Sequence, residues 1–157
     1  MRRLLVALTI LLVAACSPAE RMSYQVMGSG VAYETNKDEK VAGAYRAQGV
    51  YDSAMAKDGK VKPDEVRWRT LYNGLMTVQK DGYAYATIAG PLGISLKRTV
   101  TSTATGSSYT SHQWPGFAFV IRAYKADQER PAAARPIQGL IDESNRRAHA
   151  AAGTATN

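Results

Sequence analysis

Apolar residues recur at three- and four-residue intervals in one long stretch of the chain. Trp68, Leu71, Tyr72, Leu75 and Val78 share a single helical face, while Arg67, Arg69, Asn73, Gln79 and Lys80 lie largely off it. Pro63 suits a first helical position, where its missing N–H needs no partner. Asp64 and Glu65 then meet the positive end of the helix dipole. Lys80 stands near the carbonyl end, and Gly82 fits the left-handed position just past it. The pattern predicts a helix from Pro63 to about Asp81.

Elsewhere the period is two. Tyr24-Gln25-Val26-Met27 reads as extended, with Gly28 and Gly30 marking a turn or bulge. Val31 to Thr35 alternates, residues 36–40 form a polar turn, and Ala42 to Tyr51 extends again before the Asp58-Gly59 turn. Tyr83 to Ala89 alternates strictly around small residues, and Gly90-Pro91-Leu92-Gly93 is expected to break it. Ile94 to Thr103 suggests a half-exposed strand, residues 105–108 a turn, and Tyr109 to Gln113 a returning hairpin arm. Phe117 to Tyr124 is the most apolar strand and is predicted central. Arg130 to Pro136 reads as a linker. Ile137, Leu140 and Ile141 make one short amphipathic stripe, and the chain from Ala150 is expected to fray.

Strands, one long helix, strands and a short helix, in that order, predict an α+β fold. A mostly antiparallel sheet would be covered by the long helix, with a short C-terminal helix beside it. A small sandwich or barrel with the helix plugging one end is the alternative.

The N-terminal residues follow a different rule. Arg2 and Arg3 precede an apolar run from Leu4 to Ala15, interrupted only by Thr9, which has the order of an export signal. Its twelve residues would extend about 18 Å as a helix, too short for a hydrocarbon core of roughly 30 Å. The run ends in Val13-Ala14-Ala15-Cys16, and Cys16 is the one cysteine in the chain. This tetrapeptide resembles the lipobox of bacterial lipoproteins. The resemblance implies cleavage between Ala15 and Cys16, a diacylglycerol on the Cys16 sulfur and acylation of the new amino terminus. Small side chains before the cysteine suit a peptidase approaching that bond, and a thiol is the most nucleophilic side chain for thioether formation. Two or more acyl chains anchor a protein stably where one does not.

The implied organisation is a signal peptide over residues 1–15, a lipidated tether over 16–23, one α+β domain over 24–149 and a flexible tail over 150–157. Ser17 replaces the aspartate that commonly retains such proteins in the inner membrane. In a Gram-negative host this implies the periplasmic face of the outer membrane. The Tyr/Gly-rich start of the domain and a helix ending in Asp81-Gly82-Tyr83 before a strand are similar to small uncharacterised envelope lipoproteins of Gram-negative bacteria.

Charge and cysteine usage narrow the chemistry. The chain carries +7, and without Arg2 and Arg3 the balance is 18 basic against 13 acidic residues, or +5. That charge is spread out, with no helix-turn-helix, Cys/His or aromatic-basic signature, so nucleic acid is not an expected partner. Anionic lipid headgroups or cell-wall polymer are compatible with it. A lone cysteine excludes an internal disulfide and a multi-cysteine zinc site, and no His-x-x-x-His spacing offers another metal site. No serine stands in a nucleophile motif, and Asp64-Glu65 and Asp142-Glu143 are adjacent pairs whose side chains diverge on a helix. No catalytic residue, metal or cofactor is therefore assigned. Tyr109, His112 and Trp114, in a polar hairpin, are the candidate binding surface, since Tyr and Trp combine apolar area with a polar tip.

The expected function is that of a non-enzymatic envelope lipoprotein, held to the membrane through Cys16, that binds an envelope protein or the cell wall. A periplasmic enzyme or enzyme regulator without a familiar motif, and a structural or phage-exclusion lipoprotein, are the alternatives.

Overall fold

The computed structural model describes residues 22, 25, 26, 28–102 and 108–153, with the side chains of 98–111 outside the description. The elements are β1 (Val31–Lys37), β2 (Ala44–Tyr51), α1 (Ser53–Lys57), α2 (Pro63–Lys80), β3 (Tyr85–Ser102), β4 (Ser108–Tyr124), β5 (Arg135–Pro136) and α3 (Ile137–Gly153). All strand pairs are antiparallel, in the order β1-β2-β4-β3-β5. The fold is α+β, as the element order predicts, and β4 with its Phe117–Tyr124 run is the central strand. The segment expected to be a signal peptide, Cys16 and most of the expected tether lie outside the described residues.

Helix α2 forms where its punctuation predicts. Pro63 opens it after Lys62, which supplies no side-chain cap, and Asp64 and Glu65 fill the first turn. At the other end Gly82, at φ +84°, closes it. Its N–H bonds the Gln79 carbonyl at 2.9 Å and the Tyr83 N–H reaches the Val78 carbonyl at 3.4 Å. That pair of bonds satisfies carbonyls the helix would otherwise leave free.

The helix lies unusually close to the sheet at one point. A Cβ on Gly74 would fall 2.5 Å from the Ala47 Cβ and 2.9 Å from the Ile121 Cδ1, so the helix backbone rests on β2. Leu71, Leu75 and Val78 then reach into one core with Tyr45, Phe119 and Ile121. Thr70 is buried beside them, and its hydroxyl donates to the Val66 carbonyl at 2.7 Å, which leaves no unpaired polar group there.

Helix α3 is seventeen residues long and continues to Gly153, so it is neither the short helix nor the frayed tail from Ala150 that the sequence predicts. The reason lies in small residues. Ser144 and Ala148 continue the buried stripe of Ile137, Leu140 and Ile141, and the Ser144 hydroxyl donates to the Leu140 carbonyl at 2.6 Å. The helix runs antiparallel to α2. Gln79 Nε2 donates to Gln138 Oε1 at 2.9 Å at one end, and Lys62 Nζ to the Ala152 carbonyl at 2.6 Å at the other. Between them Trp68 is flanked by the guanidinium groups of Arg67 and Arg147, 4.9 and 4.5 Å from its ring centre. Glu143 accepts from Arg135 at 3.0 Å and Arg147 at 2.7 Å, and these bonds hold its carboxyl below the usual range.

Two further expectations are corrected, and one element is unanticipated. Gln25 and Val26 are helical, not extended, and the Ser29 hydroxyl and Gly30 N–H bond carbonyls four residues back. Residues 53–57 form a short helix because Asp52 Oδ1 accepts from the N–H groups of Ala54 and Met55. Finally, Gly90-Pro91 does not end a strand. β3 runs through it with one extra residue, pairing Ala89 with Val120 and Leu92 with Ala118. Gly90 sits at φ +120°, and a Cβ there would lie 2.8 Å from the Ala118 carbonyl, so glycine is required.

The close helix–sheet approach yields a paired prediction. Gly74→Ala gains helix propensity of about 1 kcal/mol but overpacks the contact by about 1–3 kcal/mol, for a net loss of roughly 1 kcal/mol. At Gly139, where a Cβ meets nothing within 4 Å, the same change is expected to stabilise by roughly 0.5 kcal/mol. Urea unfolding of the two variants, compared at equal slope, measures both signs.

Candidate functional site

Alternation along the strands gives the sheet two different faces. Tyr45, Ala47, Phe119, Ile121 and Ala86 point into the helical layer. Their neighbours Arg46, Gln48, Val120, Arg122 and Thr87 belong to the opposite face. The ladder aligns that face in rows. Ala44, Arg122 and Thr87 make the first; Asn36, Arg46, Val120 and Ala89 the second; Glu34, Gln48, Ala118 and Leu92 the third. Ala32, Val50, Gly116 and Ile94 follow, and then Trp114 with Leu96.

The last two rows are covered. Met22 and Val26, one helical turn apart, join Ala32, Val50 and Trp114 in a second hydrophobic core, with Ile94 and Leu96 packed against it. Met22 is buried, so the folded body takes in a residue that the sequence reading placed in the tether.

Among the described residues, no helix lies over the first three rows. Val120 is 42% exposed and Leu92 52% exposed. Arg46 and Arg122 are exposed on either side of Val120, and among the described residues neither guanidinium makes an ion pair. The acidic residue in these rows, Glu34, accepts from Gln48 Nε2 at 3.1 Å. A shallow cleft of about 330 Å³ opens beside them, lined by Asn36, Lys37, Asp38, Ala44, Tyr45, Arg46 and Val120.

Tyr45 passes from this cleft into the core. Its hydroxyl donates to Asp81 Oδ2 at 2.5 Å, and Lys37 Nζ stands 3.8 Å from the same oxygen and 5.9 Å from the Tyr45 ring centre. Tyr83 meets that ring edge-on at 6.0 Å. Burial first, and then the Asp81 carboxylate, push the Tyr45 phenol well above its usual range. The arrangement ties the end of α2 to the sheet; a phenol held this firmly protonated is a poor base or nucleophile.

The residues singled out from sequence are not brought together. Ala15 and Cys16 lie outside the described residues. Trp114 is only 3% exposed and is core, which overturns its assignment to a binding surface. Its polar neighbours suggested a surface hairpin, but the N-terminal segment covers it. His112 is exposed and its ring lies over Trp114, 5.8 Å between centres and 8° from parallel. Of Tyr109 the described feature is its strand pairing with Thr101. Sequence reasoning missed Arg46 and Arg122, although each stands between two buried residues in its strand (Tyr45 and Ala47, Ile121 and Ala123), the period-two mark of an outward position.

β2 leaves β4 at the Val50–Gly116 pair, and β3 and β4 continue alone as a ribbon from Ser95–Pro115 to Ser102–Ser108. At about 3.4 Å per residue this ribbon stands roughly 27 Å beyond the four-stranded part. Among the described residues no three His, Cys, Asp or Glu side chains gather to hold a metal ion, and no helix is long and apolar enough to cross a membrane. No protein-family model, curated protein or solved structure matches the chain.

Two predictions follow from this geometry. Trp114→Ala is expected to cost about 3–5 kcal/mol and to release the segment around Met22, seen as faster tryptic cleavage at Arg21, whereas His112→Ala stays within about 0.5 kcal/mol. Alkaline stability is the second. Burial raises the Tyr33 phenol from 10.0 to about 12. The folded state therefore keeps a proton that the unfolded chain has lost between pH 10 and 12, and stability falls across that window. Tyr33→Phe should flatten the fall in unfolding free energy measured over the same range.

Proposed function

We propose that this protein is a non-enzymatic envelope lipoprotein, anchored through an acylated Cys16, whose α+β body binds another component of the envelope at the membrane surface. The anchor rests on Val13-Ala14-Ala15-Cys16 after an Arg-led apolar run. An outer-membrane location facing the periplasm follows from Ser17 in a Gram-negative host.

The binding half rests on the β3–β4 ribbon. Beyond β2 neither strand has a neighbour on its outer side among the described residues, so two rows of backbone N–H and C=O groups stand available to a partner strand. The ribbon is rich in Ser and Thr and carries Lys97, which discourages indiscriminate strand pairing. Its partner is then a protein segment of extended conformation or a polar wall polymer. No nucleic acid and no cofactor enter this reading.

Cys16→Ala tests the anchor: incorporation of labelled palmitate is lost and the protein moves from the membrane to the soluble fraction. Label retained by the variant would overturn it. A photo-crosslinking amino acid at the exposed position Gln113 tests the binding half in cells. A discrete adduct with an envelope component is expected, and its absence at native expression levels counts against binding through the ribbon.

A further inference from the structure

We propose that the helix-free sheet face around Arg46, Arg122, Val120 and Leu92 docks on the anionic headgroups of the bilayer that carries the anchor. The inference rests on the reading of Cys16 as acylated and adds to it an orientation: sheet against the membrane, helices away from it.

Three observations point to that occupant. The first is chain length. Met22 is seated on this same face, in the rows adjoining the free ones, and lies six residue steps along the chain from Cys16. Six residues reach at most about 20 Å when fully extended. Anchored there, the face cannot be held far from the headgroups, whereas the α2–α3 layer lies on the other side of the sheet. The second is charge. Arg46 and Arg122 flank Val120 without an ion-pair partner among the described residues, and the acidic Glu34 is engaged by Gln48. Guanidinium groups suit phosphate oxygens, which they bind in forked geometry. The third is apolar exposure in the same rows: Val120, Leu92 and Ala89 are open to solvent beside those charges. Short apolar groups beside two arginines match the boundary between headgroups and acyl chains, where small hydrophobic area and cationic charge act together.

The lone cysteine makes the test direct. Once Cys16 is a thioether, Val120→Cys supplies the single free thiol of the mature chain. The lipoprotein is purified from its native host, its acylation is checked by palmitate label, and bimane is attached at position 120. It is then reconstituted into vesicles of phosphatidylcholine alone or of equal parts phosphatidylcholine and phosphatidylglycerol. In the anionic vesicles the bimane emission should shift to the blue and its quenching by aqueous iodide should fall at least twofold. Added salt, or Arg46→Glu with Arg122→Glu, should reverse both. Each guanidinium removed weakens docking by roughly fivefold. A probe at Lys60→Cys, beyond α1, should stay open in every vesicle.

Equal quenching at position 120 in both vesicle types, with Cys16 acylated, overturns the docking and leaves the anchor standing. Protection in pure phosphatidylcholine that grows with protein density identifies a second copy as the occupant and also overturns it. An unlabelled Cys16 removes the anchor, and the proposal with it.

Discussion

One extra residue in β3 decides how this molecule is built. Strand side chains alternate, so a single insertion carries everything after it to the other face. Before the bulge at Gly90, Ala86 and Ile88 point toward α2 and α3; after it, Ile94 and Leu96 point toward the N-terminal segment. Without that shift the apolar positions of β3 would lie on one side, and Ile94 and Leu96 could not join Trp114 in the second core. The chain thus makes two cores from one sheet, a large one under the helices and a small one under Met22 and Val26. The backbone allows it because Gly90 takes a positive φ and approaches the Ala118 carbonyl more closely than any side chain would permit.

The two cores are held in different ways. The larger depends on Gly74, whose missing side chain lets α2 settle on Ala47 and brings Leu71, Leu75 and Val78 within reach of β4. Helix α3 adds little contact with the sheet itself. It closes the layer by lying along α2, with Ile137, Leu140 and Ile141 completing the same cluster. The exposed ion pairs along its surface contribute little; pairs of this kind are worth about 0–1 kcal/mol. The smaller core has no long helix among the described residues, and Trp114 is its largest side chain. That asymmetry makes the N-terminal segment the part whose attachment depends most on one side chain.

The legible parts of the sequence are those where local and tertiary preferences agree. Pro63, Asp64, Glu65 and Gly82 mark the ends of α2 by backbone chemistry alone, and its stripe has the helical period. Phe117–Tyr124 announces a central strand by composition. The misreadings share one cause, which is that tertiary partners are invisible in a local window. Gly90-Pro91 looks like a terminator until β4 pairs on both sides of it. Met22 and Val26 have helical spacing, but a window starting at Tyr24 contains only one of them. Trp114 looks exposed because His112 and Gln113 beside it are exposed. In α3 the stripe continues in Ser144 and Ala148, which count as packing residues only once α2 lies against them. The candidate site was the least legible part, because a face is assembled from β1, β2, β3 and β4 and no single strand carries its pattern.

A sheet face holding two arginines and a few small apolar groups would bind a bilayer feebly by itself. Two guanidinium groups near an anionic surface supply about 2 kcal/mol, an equilibrium factor near 30 that dilution would overwhelm for a free protein. The proposed anchor would change that arithmetic. With acyl chains at Cys16 holding the body within about 20 Å of the headgroups, docking would become an intramolecular step at an effective concentration on the order of millimolar. The same weak face would then suffice to choose an orientation. Docking would also stay reversible, since salt screening or a competing partner on the β3–β4 ribbon would need to overcome only that small free energy. Strong adhesion would confine the ribbon to one attitude; a marginal face would let the body lift and present it. Under the proposed reading, the modest charge of Arg46 and Arg122 would act through the tether.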